Sequence, residues 1–477
     1  MRFLLPLCLS CALSAQDIAG RIKAEAIEHS QVVPVFEMFT VTIGPRLTGS
    51  PAQKRAAEYA RDRLASYGLS NARLEPWHFG RGWTLEKLTL EMIEPRYMPL
   101  IGYADGWSSG TSGEIVATPV FIGGKSPSEV DSMATKLKGA IVMTDPVMVN
   151  FIRKDRPQPS DPDYQPMSAA YATSAGGARA GGGRGNAASI ARSLRAAGAG
   201  VILKPSRGEH GTVFVTGRDG GAGSVPTVTL SAEHYNMIAG MLQHNVPVKL
   251  RVNVQTKYYD SDNGNAYNVL AELPGSDPAL RDQVVMIGGH LDCWHTGVGA
   301  TDNADGSTTV MEAMRILKAI GANPRRTIRV ALWSGEEQGL LGSKAWVAQH
   351  RDSLDQLDVY YNIDNGTGKI YGWYLQNMES VRALFDSWLE PMKSIGARRN
   401  VIEPVGSTDH LSFIDAGVPG FNPIQDYTNY DIRTHHTNMD TDDRLDVNDI
   451  RQAASVMAWF AYSAAMRDEM LPRPPAK

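Results

Sequence analysis

At 477 residues the chain is too long for one simple hydrophobic core, so two or three domains are expected. Hydrophobic and charged shares of 43% and 21% are those of a folded globular protein. A net charge of −4 gives no electrostatic case for nucleic acid or an anionic membrane as partner.

The N-terminus comes first in chain order. Arg2 precedes an apolar run from Phe3 to Leu13, and Ala12-Leu13-Ser14 supplies small residues for a cleavage site. Residues 1–15 therefore predict an export signal, which would place the protein in the periplasm or outside the cell. The competing reading is a buried N-terminal strand. No apolar run reaches the ~18 to 20 residues of a membrane-spanning helix. Cys8 and Cys11 fall inside this segment, which leaves Cys293 alone and no intramolecular disulfide for the mature fold.

From about Ala24 the sequence reads as helical, most clearly in "SPAQKRAAEYARDRLASYGL". There Ala56, Tyr59, Ala60, Arg63 and Leu64 recur at helical spacing, and Gly68 stands where a helix would be capped. Strand-like alternation follows around "TLEKLTLEMI". From residue 114 to 254, short β runs ("EIVATPVFI", "GAIVMT", "AGVILKP", "VPTVTL", "VKLRVNVQT") alternate with glycine-rich turns. Within them, residues 174–186 ("SAGGARAGGGRGN") predict a mobile loop.

From about Ala266 apolar strands ("QVVMIGG", "RTIRVALWS", "LDVYYNID") alternate with helices ("GSTTVMEAMRILKAIG", "VRALFDSWLEPMKSIG"). That rhythm predicts an α/β fold with a mostly parallel sheet covered on both faces. Ligands bind such sheets at the carboxyl ends of the strands.

Polar clusters lie at those ends. His290 and Asp292 close one strand, and Asp302 lies in the following loop. Glu336 and Glu337 close a second strand, Asp364 a third, and His435-His436 stands in "RTHHTNMDT". Taken singly, each is more often a solvated polar residue or a helix-dipole partner. Together, several carboxylates and imidazoles at the ends of one sheet repel and trap protons unless a cation lies among them. Mixed nitrogen and oxygen ligation suits zinc better than manganese or cobalt, and the lack of a thiolate excludes a structural zinc finger.

With "GGHLDCW…GATDNADG", "LWSGEEQGLLGS", "NIDNGTG", "GSTDHLSF" and "HHTNMDT" in this order, the chain resembles the co-catalytic dizinc exopeptidases. That family includes bacterial leucyl aminopeptidases, glutamate carboxypeptidase and carboxypeptidase Q, the last of which the chain also resembles. The resemblance extends over nearly the whole mature chain, including "IGPRLTGS" at residues 43–50. It implies a zinc-exopeptidase fold with a central mixed sheet, made from residues 16–111 and 256–477. It also implies a β-rich protease-associated domain inserted at residues 112–255.

The resemblance also implies roles. His290 and Asp364 would hold one zinc, Glu337 and His436 the other, and Asp302 would bridge the two. Asp292 would orient His290, and Glu336 would be the general base. His436 is preferred to His435 because the family places its ligand four residues before the Asp of "DT", here Asp440. Tyr430 or Tyr427 could hydrogen-bond an oxyanion, Arg433 could hold a terminal carboxylate, and Asp409 and His410 are expected beside the substrate. His295 and Cys293 depart from the family pattern, where an acid and a serine are expected.

The implied reaction is hydrolysis of short peptides, with a homodimer as the state relatives often adopt. An amide hydrolase or glutaminyl cyclase on the same scaffold is an alternative, as is a non-catalytic binding protein of the transferrin-receptor type. The complete ligand set argues against the last two.

Overall fold

The computed structural model describes residues 7–162, 164, 183–221 and 223–474, with only the backbone of 7–16, 183–185 and 261. The first six residues of the expected export signal and most of the glycine-rich segment 174–186 lie outside the described residues.

The fold is α/β, built on a mixed seven-stranded sheet. Its strands are β1 (Ser70–His78), β2 (Asn265–Leu273), β3 (Val284–His290), β4 (Thr327–Trp333), β5 (Leu357–Asn362), β6 (Ile370–Tyr374) and β7 (Gly420–Gln425). They lie in the order β1-β2-β4-β3-β5-β7-β6. The four central strands β4, β3, β5 and β7 are parallel, and antiparallel pairs close both sides.

Apolar residues run unbroken through β3 because both its faces are covered. Val285 and Ile287 pack into one helical layer, and Val284 and Met286 into the other. The first layer contains α1 (Leu7–Glu28), α2 (Pro51–Ser66), α3 (Asp305–Ala319) and α6 (Val447–Ala465). The second contains α4 (Leu341–Gln349) and α5 (His410–Ile414), whose Trp346 and Phe413 pack on Trp333. Truncating a buried ring such as Phe460 to Ala would cost about 3–5 kcal/mol.

Helix α2 starts where the sequence indicates. The Ser50 hydroxyl accepts from Gln53 N at 3.2 Å, Pro51 opens the first turn, and Gly68 follows the C-cap at φ 81°. One expected helix is shorter than the sequence suggests. "VRALFDSWLEPMKSIG" is α-helical over Arg382–Leu389 and then tightens to a 3₁₀ turn over Glu390–Ile395. Pro391 explains the change, because it has no N–H for an α-helical bond. Among the described residues no helix is long and apolar enough to cross a membrane.

Two smaller sheets are formed by residues 82–259. One has four strands, with Gly82–Glu94 paired along Lys249–Tyr259 and flanked by Met98–Pro99 and Ile115–Ala117. The other has five, in the spatial order Gly102–Ala104, Thr227–Leu230, Val201–Pro205, Ile141–Met143 and Val120–Phe121.

Candidate metal centre

Strand β3 delivers His290 at its carboxyl end, and the two preceding glycines are there for packing. A Cβ at Gly288 would lie 2.5 Å from the Ala331 carbonyl, and one at Gly289 2.9 Å from the Ile363 carbonyl. Beside it, Ile363 N donates to the Gly288 carbonyl at 2.9 Å, which extends the β3–β5 ladder and brings Asp364 alongside His290. Asp364 Oδ1 is 3.5 Å from His290 Nε2.

Asp302 reaches the same place from the turn before α3. Asp440 fixes that turn: its carboxylate accepts from Thr301 N at 2.7 Å, Thr301 Oγ1 at 3.0 Å and Asp302 N at 3.2 Å. The sequence reading used Asp440 only as a spacing mark and missed this role.

Glu336 and Glu337 follow β4, and Asp292 holds their loop. The Asp292 carboxylate accepts from Thr48 Oγ1 at 2.8 Å, Glu336 N at 3.3 Å and Glu337 N at 3.4 Å. His290 Nδ1–H donates to the Asp292 carbonyl at 3.0 Å, with the carboxylate farther away at 3.7 Å. A donor at Nδ1 leaves Nε2 free to act as a ligand.

The structure gathers the five expected ligands around the Asp302 carboxylate. Its Oδ1 lies 3.1 Å from His290 Nε2, and its Oδ2 lies 3.4 Å from His436 Nε2. Glu337 Oε2 is 2.9 Å from the same His436 nitrogen, and Glu336 Oε2 is 3.9 Å from His290 Nε2. These approaches lack hydrogen-bond alignment. His290 Nε2, Asp302 Oδ2 and both Glu337 carboxylate oxygens are buried with no hydrogen-bond partner.

Buried ligand atoms gathered together without hydrogen-bond partners form a candidate donor set for a cation. His290, Asp302 and Asp364 each offer a ligand atom within 4.8 Å of the others, and so do Asp302, His435 and His436. Of the two adjacent histidines, His436 contacts both Asp302 and Glu337. His435 is stacked between His436 and Tyr430.

Electrostatics agree with this reading. Burial raises Glu336 well above the usual carboxylate range, with Asp364, Asp409 and Glu337 adding to the effect against His290. Burial, with Asp302 close by, pushes Glu337 up to about 7. Burial opposes protonation of His436, but Glu337 and Asp302 override it and bring its pKa to about 9. The cluster has a high affinity for positive charge, whether proton or metal.

Comparison with known proteins shows what the chain is similar to. Residues 268–461 match Peptidase family M28. That stretch contains His290, Asp302, Glu337, Asp364 and His436, and over it the chain is similar to the family. Human carboxypeptidase Q (Homo sapiens) is 28% identical over 433 residues, covering 91% of this chain and 84% of that one. The crystal structure of a peptidase M28 precursor from Shewanella amazonensis superposes with a TM-score of 0.73 at 26% identity, over 97% of this chain and 99% of that one. A zinc aminopeptidase from Bacillus subtilis shares the fold, with a TM-score of 0.63 at 19% identity over 92% and 95% of the two chains.

The remaining expected residues of this metallopeptidase occupy varied places. Tyr430 is fully buried with no hydrogen-bond partner for its hydroxyl, and burial followed by the charges of Asp302 and Asp364 raises its pKa. The Tyr427 hydroxyl is instead paired with Tyr374 at 2.8 Å. Arg433 Nη1 donates to the Glu209 carbonyl at 3.1 Å and to Thr212 Oγ1 at 3.0 Å.

Asp409 accepts from Ser343 Oγ at 2.5 Å, and its other oxygen is buried and unpaired. Its neighbour His410 is turned inward, with Nε2–H donating to the Val405 carbonyl at 3.0 Å and Nδ1 accepting from Thr408 at 2.5 Å. Burial lowers its pKa to about 4, which keeps the ring neutral.

The two departures from the family pattern have structural partners. Cys293 Sγ accepts from Arg46 N at 3.2 Å, and burial pushes its thiol up to about 12. His295 Nε2–H donates to the Ala104 carbonyl at 2.8 Å, and its ring meets Trp83 edge-on. His295 therefore ties the loop after β3 to the smaller sheets.

Proposed function

We propose that this chain is an M28-type exported dizinc exopeptidase that hydrolyses short peptides, dipeptides and tripeptides foremost. The observation that carries the reading is Asp302, whose two carboxylate oxygens each face a different histidine within one buried donor set. His290 and Asp364 would hold one zinc, Glu337 and His436 the other, with Asp302 shared. When bound, the two ions supply a water of lowered pKa and polarise the scissile carbonyl.

Glu336 takes a proton from the attacking water and gives it to the leaving amine. Its carboxylate lies beside the donor set, 3.9 Å from His290 Nε2, where both transfers can be made. Asp292 keeps the Glu336 backbone in place and its carbonyl fixes the His290 tautomer. The unpaired Tyr430 hydroxyl is the donor proposed for the oxyanion. Arg433, three residues before His436, is proposed for a terminal carboxylate, and Asp409, with the inward-turned His410 behind it, for the substrate side of α5. Residues 112–255, with their partner strand Gly82–Glu94, are proposed as the inserted protease-associated domain.

The test is cleavage of a free dipeptide beside its N-acetyl and C-amide forms, before and after metal stripping. Chelation should abolish hydrolysis, zinc should restore it, and blocking a terminus should lower kcat/KM. Internal cleavage of a doubly blocked peptide at comparable kcat/KM would overturn the exopeptidase reading.

A further inference from the structure

His436 stands on a loop that residues 82–259 grip from two sides. On one side Asp155 accepts from Asn429 N at 2.8 Å and Ile432 N at 3.1 Å. The next residue, Arg156, donates through Nε to Asp431 Oδ2 at 2.9 Å, and its backbone N–H bonds the same oxygen at 2.8 Å. The Arg156 guanidinium also covers the rings of Tyr427 and Tyr430 at 4.9 and 5.6 Å.

On the other side Val215 N donates to the His436 carbonyl at 3.0 Å, and Val213 N donates to Asn438 Oδ1 at 2.7 Å. Phe214 bridges to Thr437, and Arg433 binds Glu209 and Thr212. Between these grips His436 has a left-handed backbone, φ 61°, a conformation uncommon for a side-chain-bearing residue. His290, by contrast, needs no such support because the sheet ladder fixes it.

From this geometry we infer that the smaller sheets set the affinity of the cation site formed by Glu337 and His436, independently of the one formed by His290 and Asp364. Arg156 and Asn438 are positioning residues: they touch neither cation nor substrate and act through the loop that aims His436. Losing the partners that orient a ligand costs about 10- to 100-fold in metal affinity. The inference rests on the dizinc reading, so the experiment must separate the two.

Metal-stripped wild type, Arg156→Ala, Arg156→Lys and Asn438→Ala are titrated with zinc against a chromophoric chelator. Circular dichroism checks the fold, and Lys125→Ala, distant from the grip, serves as control. The expected result is two zincs in wild type and control. Arg156→Ala and Asn438→Ala should show one zinc weakened about 10- to 100-fold and the other unchanged, with partial recovery in Arg156→Lys. Should Arg156→Ala fail to fold, Asn438→Ala decides. Unchanged affinities in a folded variant, or equal weakening of both zincs, would overturn the inference. Fewer than two zincs in wild type would overturn the dizinc reading and the inference with it.

Discussion

His290 and Asp364 stand at the ends of adjacent parallel strands, whereas His436 stands on a loop held by a separate set of sheets. The His290 side chain is 1% exposed and that of His436 is 28%. A ligand on a strand end inherits the rigidity of the sheet, and its order costs nothing beyond folding the core. A ligand on a loop must be held by contacts made elsewhere, and those can be removed without touching the core. Asp302 joins the two kinds of support, because its turn is anchored by Asp440 from the His436 side and leads into the buried helix α3.

Asp302→Ala should have the largest effect. It removes the carboxylate that the two proposed zinc sites would share, so elemental analysis should find both zincs weakened and hydrolysis lost. Glu336→Gln should separate chemistry from assembly: zinc content stays at the wild-type value while kcat falls at least ~10²-fold. A Glu336→Gln protein that lost its metal would move that residue into the ligand set. Tyr430→Phe should lower kcat by about 10²-fold with little change in KM, the scale of one lost oxyanion donor. An unchanged kcat would make Tyr430 a packing residue beside His435.

The grip on the loop carries its own pH dependence. Burial works against ionisation of Asp431, but the Arg156 guanidinium overrides it and holds the pKa below the usual carboxylate value. A depressed folded pKa means the ion pair stabilises the fold above the unfolded value of ~3.9. That contribution is lost as pH falls through the folded value. Asp431→Asn should therefore cost about 3 kcal/mol at pH 7, and urea titrations should show the gap closing below about pH 4. A gap that persisted in acid would mean the loop is held by packing rather than by charge. The smallest effect is expected at Cys293, whose buried thiol should resist a disulfide reagent in the native state and react only on unfolding.

The half of the centre on the sheet was readable in the sequence because its signal is local. An apolar run ending in His290, Glu336 or Asp364 places a polar residue at a strand terminus, and parallel strands collect those termini on one edge. The motif order carries the proposed pairing of ligands. The supports of His436 were not readable. Asp155 and Arg156 lie some 275 residues from the loop they hold, and a lone Asp-Arg in a polar stretch carries no periodicity or spacing. Pro391 was visible, yet the apolar spacing around it hid the break in that helix. Asp440 looked like a spacing mark because its partners are backbone N–H groups, which sequence does not distinguish.

The most direct test of the account is anomalous scattering at the zinc edge from crystals of the zinc-loaded wild-type enzyme. Two peaks are expected flanking the Asp302 carboxylate, one within ligand distance of His290 and Asp364 and the other of Glu337 and His436. A single peak, or two that do not share Asp302, would contradict it.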